Sequence, residues 1–574
     1  MSSTSRPSAF VPLRALVVLA ALAAVLAATA PATADTAAEG ATVVEVEADA
    51  RAAARLVDRG LDVVAVEDGR AEVWLHGDAD AAALRASGLR SRVVSRGAST
   101  RATRAAEAAA AARLVDDPTL ASALPTGRVS YRTLEEIDAE LRALARAHRD
   151  RAKLIELPEP SLLGHRVLGL YISEDGRSDA GRPVFLTTGV HHAREWPTAE
   201  FTMEFATEIL EGDDPRMEAA LDDADVIVVP VVNPDGYRIS RSLVQEQKRK
   251  NCRVVHGEIP SYDECVANAD RGVDPNRNYG AFFGGPGSSA SITASNHRGE
   301  GPFSEPEIRN MRWLATTNQV TVAVNNHTPD ERLLRAPSSS NEPVPADVEA
   351  YDALAQRLGA ALSWPAGPWT EIYYEASGTA EQTAYYGAGT YAFTPEATPG
   401  HSGLARFHPP YPYVVDQYWG TGAYEGSSIR EALLIAWEAA ADTEQHAVIT
   451  GTATPGARIT ATKTFTLDTS PFSLDPDGTD VVVPVPMTYT STYTVPADGR
   501  VEWHVNPSLR PSQHLSTHLR ESWTLSCRAP GRRTVSVEVT VGRGEVAEVD
   551  LGACQRGPRV PPPPPRGRIP RGGS

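Results

Sequence analysis

His192 and Glu195 stand three residues apart in the run His191-His192-Ala193-Arg194-Glu195-Trp196-Pro197. An imidazole and a carboxylate are both good ligands for Zn²⁺. A β-type run at 183–190 leads straight into the pair, and Pro197 opens a helix-like segment at 198–210. Proline suits the first helical position, where its missing N–H would be unpaired in any case. A strand-to-helix turn of this kind lies off the carboxyl end of a strand, where open α/β sheets bind ligands. One His-x-x-Glu pair is what chance supplies, and a plain surface turn would hold the same residues. Its weight comes from the ends of the other strand-like runs. The run 319–324 ends at Asn325-Asn326-His327, the run 390–394 ends at Pro395-Glu396, and the run 225–232 ends at the turn Asn233-Pro234-Asp235-Gly236. Two histidines and two glutamates therefore converge on one expected sheet edge.

The chemistry of such a set is specific. Two neutral imidazoles and one carboxylate hold Zn²⁺ and leave a position open for water. The ion lowers the pKa of bound water and polarises a carbonyl. A second carboxylate, not on the metal, is then needed to take the water proton and pass it to a leaving amine; Glu396 is the candidate.

The elements that must position these residues alternate along the chain. Runs at 166–172, 183–190, 225–232, 319–324 and 390–394 are strand-like and several are continuously apolar, as expected for a sheet covered on both faces. Helical segments lie between them. Thr133-Leu134-Glu135-Glu136 reads as a capping box, followed by Leu134, Ile137, Leu141 and Leu144 at helical spacing. A second box is expected at Ser428 to Glu431, opening a helix to about Ala441. The fold class is α/β, a mixed and largely parallel sheet with helices on both faces. Before it, residues 41–95 read as βαββαβ, a ferredoxin-like order. An Ala/Arg-rich stretch at 99–113 reads as an exposed helix or linker open to proteolysis. From His446 onward, Val/Thr-rich alternation at 448–462 and 534–551 marks a small all-β domain of sandwich type.

The 574 residues suit several domains rather than one core. The boundaries expected are 1–34, 35–113, 127–445, 446–556 and a Pro/Arg/Gly-rich disordered tail at 557–574. The net charge of −18 argues against nucleic acid as a partner. Arg6 and Arg14 precede an apolar run at 15–28, and Ala32-Thr33-Ala34 offers a cleavage site, so 1–34 reads as a secretion signal and the protein as extracellular, without stable membrane insertion. The four cysteines are an even count in an exported chain and fall into two local pairs, expected as Cys252–Cys265 and Cys527–Cys554.

Six blocks resemble the zinc carboxypeptidases of the carboxypeptidase A family: His192-Ala193-Arg194-Glu195-Trp196; Asn233-Pro234-Asp235-Gly236-Tyr237; Arg249-Lys250-Asn251 followed by Gly272-Val273-Asp274-Pro275-Asn276-Arg277-Asn278; Phe303-Ser304-Glu305-Pro306-Glu307; His327-Thr328; and Tyr374-Glu375-Ala376-Ser377-Gly378 on to Phe393-Thr394-Pro395-Glu396. The resemblance implies one zinc held by His192, Glu195 and His327, with Glu396 as general base and acid. It implies Arg249 at the oxyanion, Asn276 and Arg277 on the substrate's terminal carboxylate, Tyr374 closing over that end, and Arg194 on the next residue upstream. Glu381 falls at the position that sets side-chain preference, where an acid implies C-terminal Lys or Arg; an exposed loop glutamate is the other reading. His191 is expected to be structural. Ser304 is expected as a helix cap, with Glu305 and Glu307 in the first turn. The chain departs from the family at Pro395, Lys248 and Asn325-Asn326. Residues 35–113 resemble the family's activation segment.

The function expected is hydrolysis of the C-terminal peptide bond of peptides and proteins. Two other readings share these residues: a same-fold amidase or endopeptidase acting on cell-wall peptides, and a catalytically inactive peptide-binding module. The C-terminal domain is open to three roles: cell-surface contact, substrate contact or stabilisation.

Overall fold

Strands that are apolar on both faces must be covered on both, and the architecture follows from that requirement. The structure is a computed structural model that describes residues 41–96, 100–397, 406–473, 478–528 and 533–554. The expected signal at 1–34 and tail at 557–574 lie outside the described residues. Among the described residues no helix is long and apolar enough to cross a membrane.

The central sheet has eight strands: β5 (Ala152–Glu156), β6 (Leu168–Ile172), β7 (Val184–Thr188), β8 (Asp225–Val229), β9 (Val320–Asn325), β10 (Arg332–Arg335), β11 (Ala366–Pro368) and β12 (Tyr391–Glu396). Their order is β11-β10-β12-β9-β7-β8-β6-β5. The middle run β12-β9-β7-β8 is parallel, while β6 and β5 join antiparallel on one side and β10 pairs antiparallel with β12 on the other. β6, β7 and β8 are buried at every position, which is why they read as unbroken apolar runs. The helix Trp196–Glu211 is buried along all but its last residue and packs with Ile429–Ala441 over the centre of the sheet.

Ahead of this sheet, β1 (Thr42–Glu47), β2 (Asp62–Glu67), β3 (Arg70–Leu75) and β4 (Ser91–Arg96) form an antiparallel sheet in the order β2-β3-β1-β4. With helices Ala50–Asp58 and Asp78–Ser87 this is the ferredoxin-like arrangement. Behind it come β13 (Ala447–Ala453), β14 (Arg458–Asp468), β15 (Pro484–Thr494), β16 (Arg500–Val505), β17 (Leu509–Pro511), β18 (His518–Arg520), β19 (Trp523–Arg528), β20 (Thr534–Val539) and β21 (Val546–Leu551). They make a three-stranded sheet, β16-β13-β21, a four-stranded sheet, β15-β14-β19-β20, and a β17–β18 pair. The alternating burial of β14 and β15 marks one face in and one face out. Both expected disulfides form, Cys252–Cys265 and Cys527–Cys554.

Several local readings change. Ser304 does not cap a helix: the helix is Pro306–Thr317 with Glu305 at its N-cap. Glu305 is buried and accepts from Asn251 Nδ2 at 2.8 Å and Arg253 Nε at 3.2 Å. Thr133 and Glu136 do form a reciprocal capping box. Ser428 caps its helix, but the Glu431 carboxylate is taken by Arg216 at 2.8 Å.

Candidate metal centre and active site

The turn after β7 is built for close approach. A Cβ on Gly189 would meet the carbonyl oxygens of Pro230 and Thr198 at 2.7 Å each, so only glycine fits. Val190 follows with φ +50°, a region a β-branched residue rarely enters, and its N–H is held by Thr198 Oγ1 at 2.9 Å. The chain then enters the helix Trp196–Glu211 with Glu195 at the N-cap, making no side-chain cap bond. Its carboxylate is thereby free to face the imidazoles.

His192 Nδ1 lies 2.7 Å from Glu195 Oε1, His327 Nδ1 lies 3.0 Å from Glu195 Oε2, and the two Nδ1 atoms are 3.0 Å apart. All three residues are buried, and their ligand atoms lie within 4.8 Å of one another. His327 arrives from β9: Asn326 ties the end of that strand to β7 through Thr188 O and Thr187 Oγ1. The His327 N–H donates to Pro395 O at 3.0 Å and its carbonyl accepts from Ala397 N at 2.7 Å, so Glu396 is carried in beside it.

The donor set fits a zinc ion. His192 Nε2 lies 2.9 Å from Asp274 Oδ1 and His327 Nε2 lies 3.0 Å from the Asn325 side-chain amide. An ionised Asp274 only accepts, so His192 Nε2 carries the proton and Nδ1 presents a lone pair. The Asn325 amide can turn its oxygen to His327 Nε2, which frees that Nδ1 in the same way. Two lone pairs and a carboxylate facing one another in a dry site call for a cation. Two imidazole nitrogens on a tetrahedral zinc sit roughly 3.3 Å apart at ordinary bond lengths.

Burial opposes ionisation of Glu195, but the facing His192 and His327 outweigh it and hold the carboxyl below its ordinary range. Burial, then Glu195 and Asp330, push Glu396 well above its range against the pull of Arg249. The two carboxyls thus differ in character: Glu195 is favoured as an anion among the imidazoles, while Glu396 has a raised affinity for a proton. Asp274 is kept far below its range despite burial by Arg249, His192 and Arg277. It bridges His192 and Arg249, whose Nη2 donates to Asp274 Oδ2 at 2.8 Å.

His192, Glu195, Arg249, Arg277, Tyr374 and Glu396 line one cavity. Arg277 is buried, its Nε donating to Gly287 O at 2.9 Å and its Nη1 to Asn276 O at 2.8 Å. Asn276 Oδ1 accepts from Ala380 N at 3.0 Å, while its Nδ2 is buried without a partner. Glu381 does not line this cavity. It is buried on the helix Ala380–Ala388, with Oε1 accepting from Thr394 Oγ1 and Oε2 unpartnered, so the exposed-loop reading of that residue is corrected. His191 contacts Tyr279 OH at 2.7 Å through Nε2 and is not among the triad.

Arg194 is engaged by the leading sheet. Its Nη1 and Nη2 donate to Asp62 Oδ2 and Oδ1 at 2.5 and 2.9 Å, and it lies over the Phe407 ring at 4.1 Å. Val63 and Val64 of β2 close the same cavity, leaving about 10 Å³, room for about one water. The Tyr374 ring lies tilted against that of Tyr373, centroids 4.1 Å apart, and packs with the leading module's core.

Sequence reasoning gave no role to Asp274 or Asp62. Asp274 stands inside a quoted block, and its place before Pro275 and Asn276 was the available signal. Asp62 carries none, because its partner is 132 residues away.

An α/β domain with a mononuclear His₂Glu centre at the carboxyl edge of its sheet is thus the class that fold and site define. Residues 137–419 match the family profile described as zinc carboxypeptidase, and this region is a zinc carboxypeptidase domain. The chain is 31% identical over 265 residues to carboxypeptidase A2 of Rattus norvegicus, covering 45% of this chain and 60% of that protein. It is 30% identical over 275 residues to carboxypeptidase A1 of Mus musculus, covering 46% and 62%. The chain therefore spans about 60% of the length of these curated relatives. Among solved structures, carboxypeptidase A from Helicoverpa armigera superposes with a TM-score of 0.57 at 22% identity, over 70% of this chain and 98% of that one. Thrombin activatable fibrinolysis inhibitor (TAFI) does so with 0.54 at 18% identity, over 70% and 98%. At these identities the two structures show the fold alone.

Proposed function

We propose that this chain is an exported zinc metallocarboxypeptidase that releases one residue at a time from peptide C-termini and is made with an inhibitory leading module at 35–113. The observation that carries the reading is the shared cavity, in which His192 and Glu195 of the His₂Glu set, the carboxyl of Glu396 and the two arginines Arg249 and Arg277 face one another. Zinc, when bound by His192, Glu195 and His327, supplies electrophilic polarisation of the scissile carbonyl and of water. Glu396 takes the proton of the attacking water and delivers it to the leaving amine. Arg249, anchored by Asp274, faces the oxygen on which charge develops; such a donor contributes about 3 kcal/mol in the transition state. Arg277 and Asn276 bind the terminal carboxylate, for which a guanidinium fork is the natural partner, and Tyr374 closes over it. Arg194 contacts the residue upstream once Asp62 has left. An amidase acting within chains has no use for a carboxylate grip, and an inert binding module has none for Glu396.

Release of a single amino acid from an N-blocked dipeptide, lost on chelation and restored by zinc, is the expected result on processed protein. Glu396→Gln lowers kcat by about 10³-fold, within the span of general acid–base catalysis, with zinc content unchanged. Cleavage of an internal or C-terminally amidated bond at equal rate overturns the reading. The buried, half-partnered Glu381 favours a cationic side chain. A C-terminal Arg substrate is accordingly cleaved faster than a Phe one, and Glu381→Ala reverses the ranking; Phe preference in the parent, unmoved by that substitution, sinks the assignment.

A further inference from the structure

The terminal-carboxylate arginine is oriented by a loop that the C-terminal β domain holds. Arg277 Nε donates to the carbonyl of Gly287 at 2.9 Å. That carbonyl also accepts from Asn296 Nδ2 at 3.2 Å, and Gly287 sits at φ +72° where a Cβ would overlap the Glu375 carbonyl. The position of Gly287 O is therefore set by residues 280–287, and this loop does not stand on its own. Phe282 has φ +55°, a conformation that persists only when neighbours impose it. Besides the Tyr386 ring, which meets Phe282 edge-on at 5.0 Å, the neighbours are the end of β14 and the residues after it. Phe282 N donates to Asp468 O at 3.1 Å, Ser470 N donates to Phe283 O at 3.0 Å, and Ser470 Oγ donates to Phe282 O at 3.1 Å. The Phe472 ring meets the Phe283 ring edge-on at 5.0 Å, and both are buried.

We propose that Ser470 and Phe472 of the C-terminal β domain are positioning residues for the substrate's terminal carboxylate, acting through residues 282–287 and Gly287 O on the Arg277 guanidinium. The domain is then a working part of the carboxylate subsite rather than an appended module. The inference rests on the reading of Arg277 given above. Neither residue lines the cavity or touches the metal ligands, so the proposal predicts a selective loss. Substrate capture through the carboxylate weakens, while the zinc centre and Glu396 keep their geometry.

The test uses the full, processed protein with Phe472→Ala, Ser470→Ala and the conservative Phe472→Leu. KM and kcat are measured on the preferred blocked dipeptide. Inhibition constants are measured for a carboxylate probe and its carboxamide: 3-phenylpropanoate and its amide, or 4-guanidinobutanoate and its amide, as the side-chain preference dictates. Acetohydroxamate serves as the metal-directed control. Phe472→Ala is expected to raise KM and the carboxylate inhibition constant about tenfold, equal to about 1.4 kcal/mol. It leaves kcat within twofold and the carboxamide and hydroxamate constants unmoved. Ser470→Ala gives a smaller shift of the same kind, and Phe472→Leu restores part of the loss. Unchanged carboxylate constants in both alanine variants overturn the proposal. So does a parallel loss of hydroxamate binding, kcat and zinc, which is general loosening. A parent protein that does not distinguish carboxylate from carboxamide instead overturns the reading of Arg277 itself.

Discussion

The two modules that flank the central sheet are attached to it in opposite ways. The C-terminal strands share its core: Ile449, Val485, Met487, Trp503 and Trp523 belong to the same buried cluster as Phe185, Trp196 and Trp437. The leading module keeps its own cluster, built from Val44, Leu56, Val63 and Val73, which meets a rim of Leu334, Trp369, Tyr373, Tyr374 and Ala376, and a second small cluster in which Trp74 packs edge-on against Phe407 at 5.0 Å. Polar ties supplement these contacts. Asp62 holds Arg194, Val64 O accepts from Tyr373 OH at 3.2 Å, and Val66 O accepts from Arg332 Nη2 at 3.0 Å. A continuous apolar core resists separation because its parting exposes area at about 25 cal/mol per Å². A module held at a rim shares far fewer apolar residues with the central domain, so its parting exposes less. One flank is thus merged with the central core and the other is attached at its edge.

The most severe way to break this comparison is truncation. Removing residues 446–554 strips one side of a shared core, and no cooperatively folded protein is expected by circular dichroism or thermal melting. A chain lacking residues 35–116 is expected to melt as a folded protein and to show more activity than the unprocessed chain. A stable, active product of the first deletion would show the cores to be independent. A smaller effect sharpens the other half. Asp62→Ala leaves Arg194 buried without its carboxylate, and losing one partner of a buried pair costs about 3–5 kcal/mol. The unprocessed variant is expected to gain activity that the parent lacks, measured before any cleavage. Equal silence in both would place the block on Val63 and Val64 alone.

The smallest expected effect is with pH. Burial works against ionisation of Asp62, but Arg194 and His76 prevail and hold its carboxyl far below the ordinary range. A depressed carboxylate contributes stability that is present above its unfolded value, near about 3.9, and lost only as pH falls through the folded one. Unprocessed protein is therefore expected to stay as closed at pH 5 as at pH 8, once corrected for the processed enzyme's own profile. Opening at pH 5 would point to a different latch.

How much of this was readable beforehand depends on the range of the interaction. β7, β8, β9 and β12 were legible because both faces are buried, and the residues that end them, His192, Glu195, His327 and Glu396, followed from the strand ends. The short outer strands β10 and β11 were not, because their side chains mix charge and proline with leucine and glycine. Ser304 and Glu305 misled for a related reason. A capping pattern competes with tertiary partners, and Asn251 and Arg253 claimed Glu305. Asp62 was invisible, since nothing in β2 itself distinguishes a strand aspartate that will meet an arginine far along the chain. The merging of the C-terminal strands with the central core was equally hidden, because alternation in β14 and β15 shows that a face is buried but not against what.

The plug and the domain it covers are one polypeptide, joined through the helix Arg101–Asp116, whose Arg104 is buried against the rings of Tyr131 and Trp196. Tethering of this kind raises the leading module's effective concentration at the mouth, so in the proposed role weak intrinsic affinity is enough to keep it closed. A single backbone cut in the tether removes that advantage at once, and dilution then does the rest without any further change in the catalytic domain.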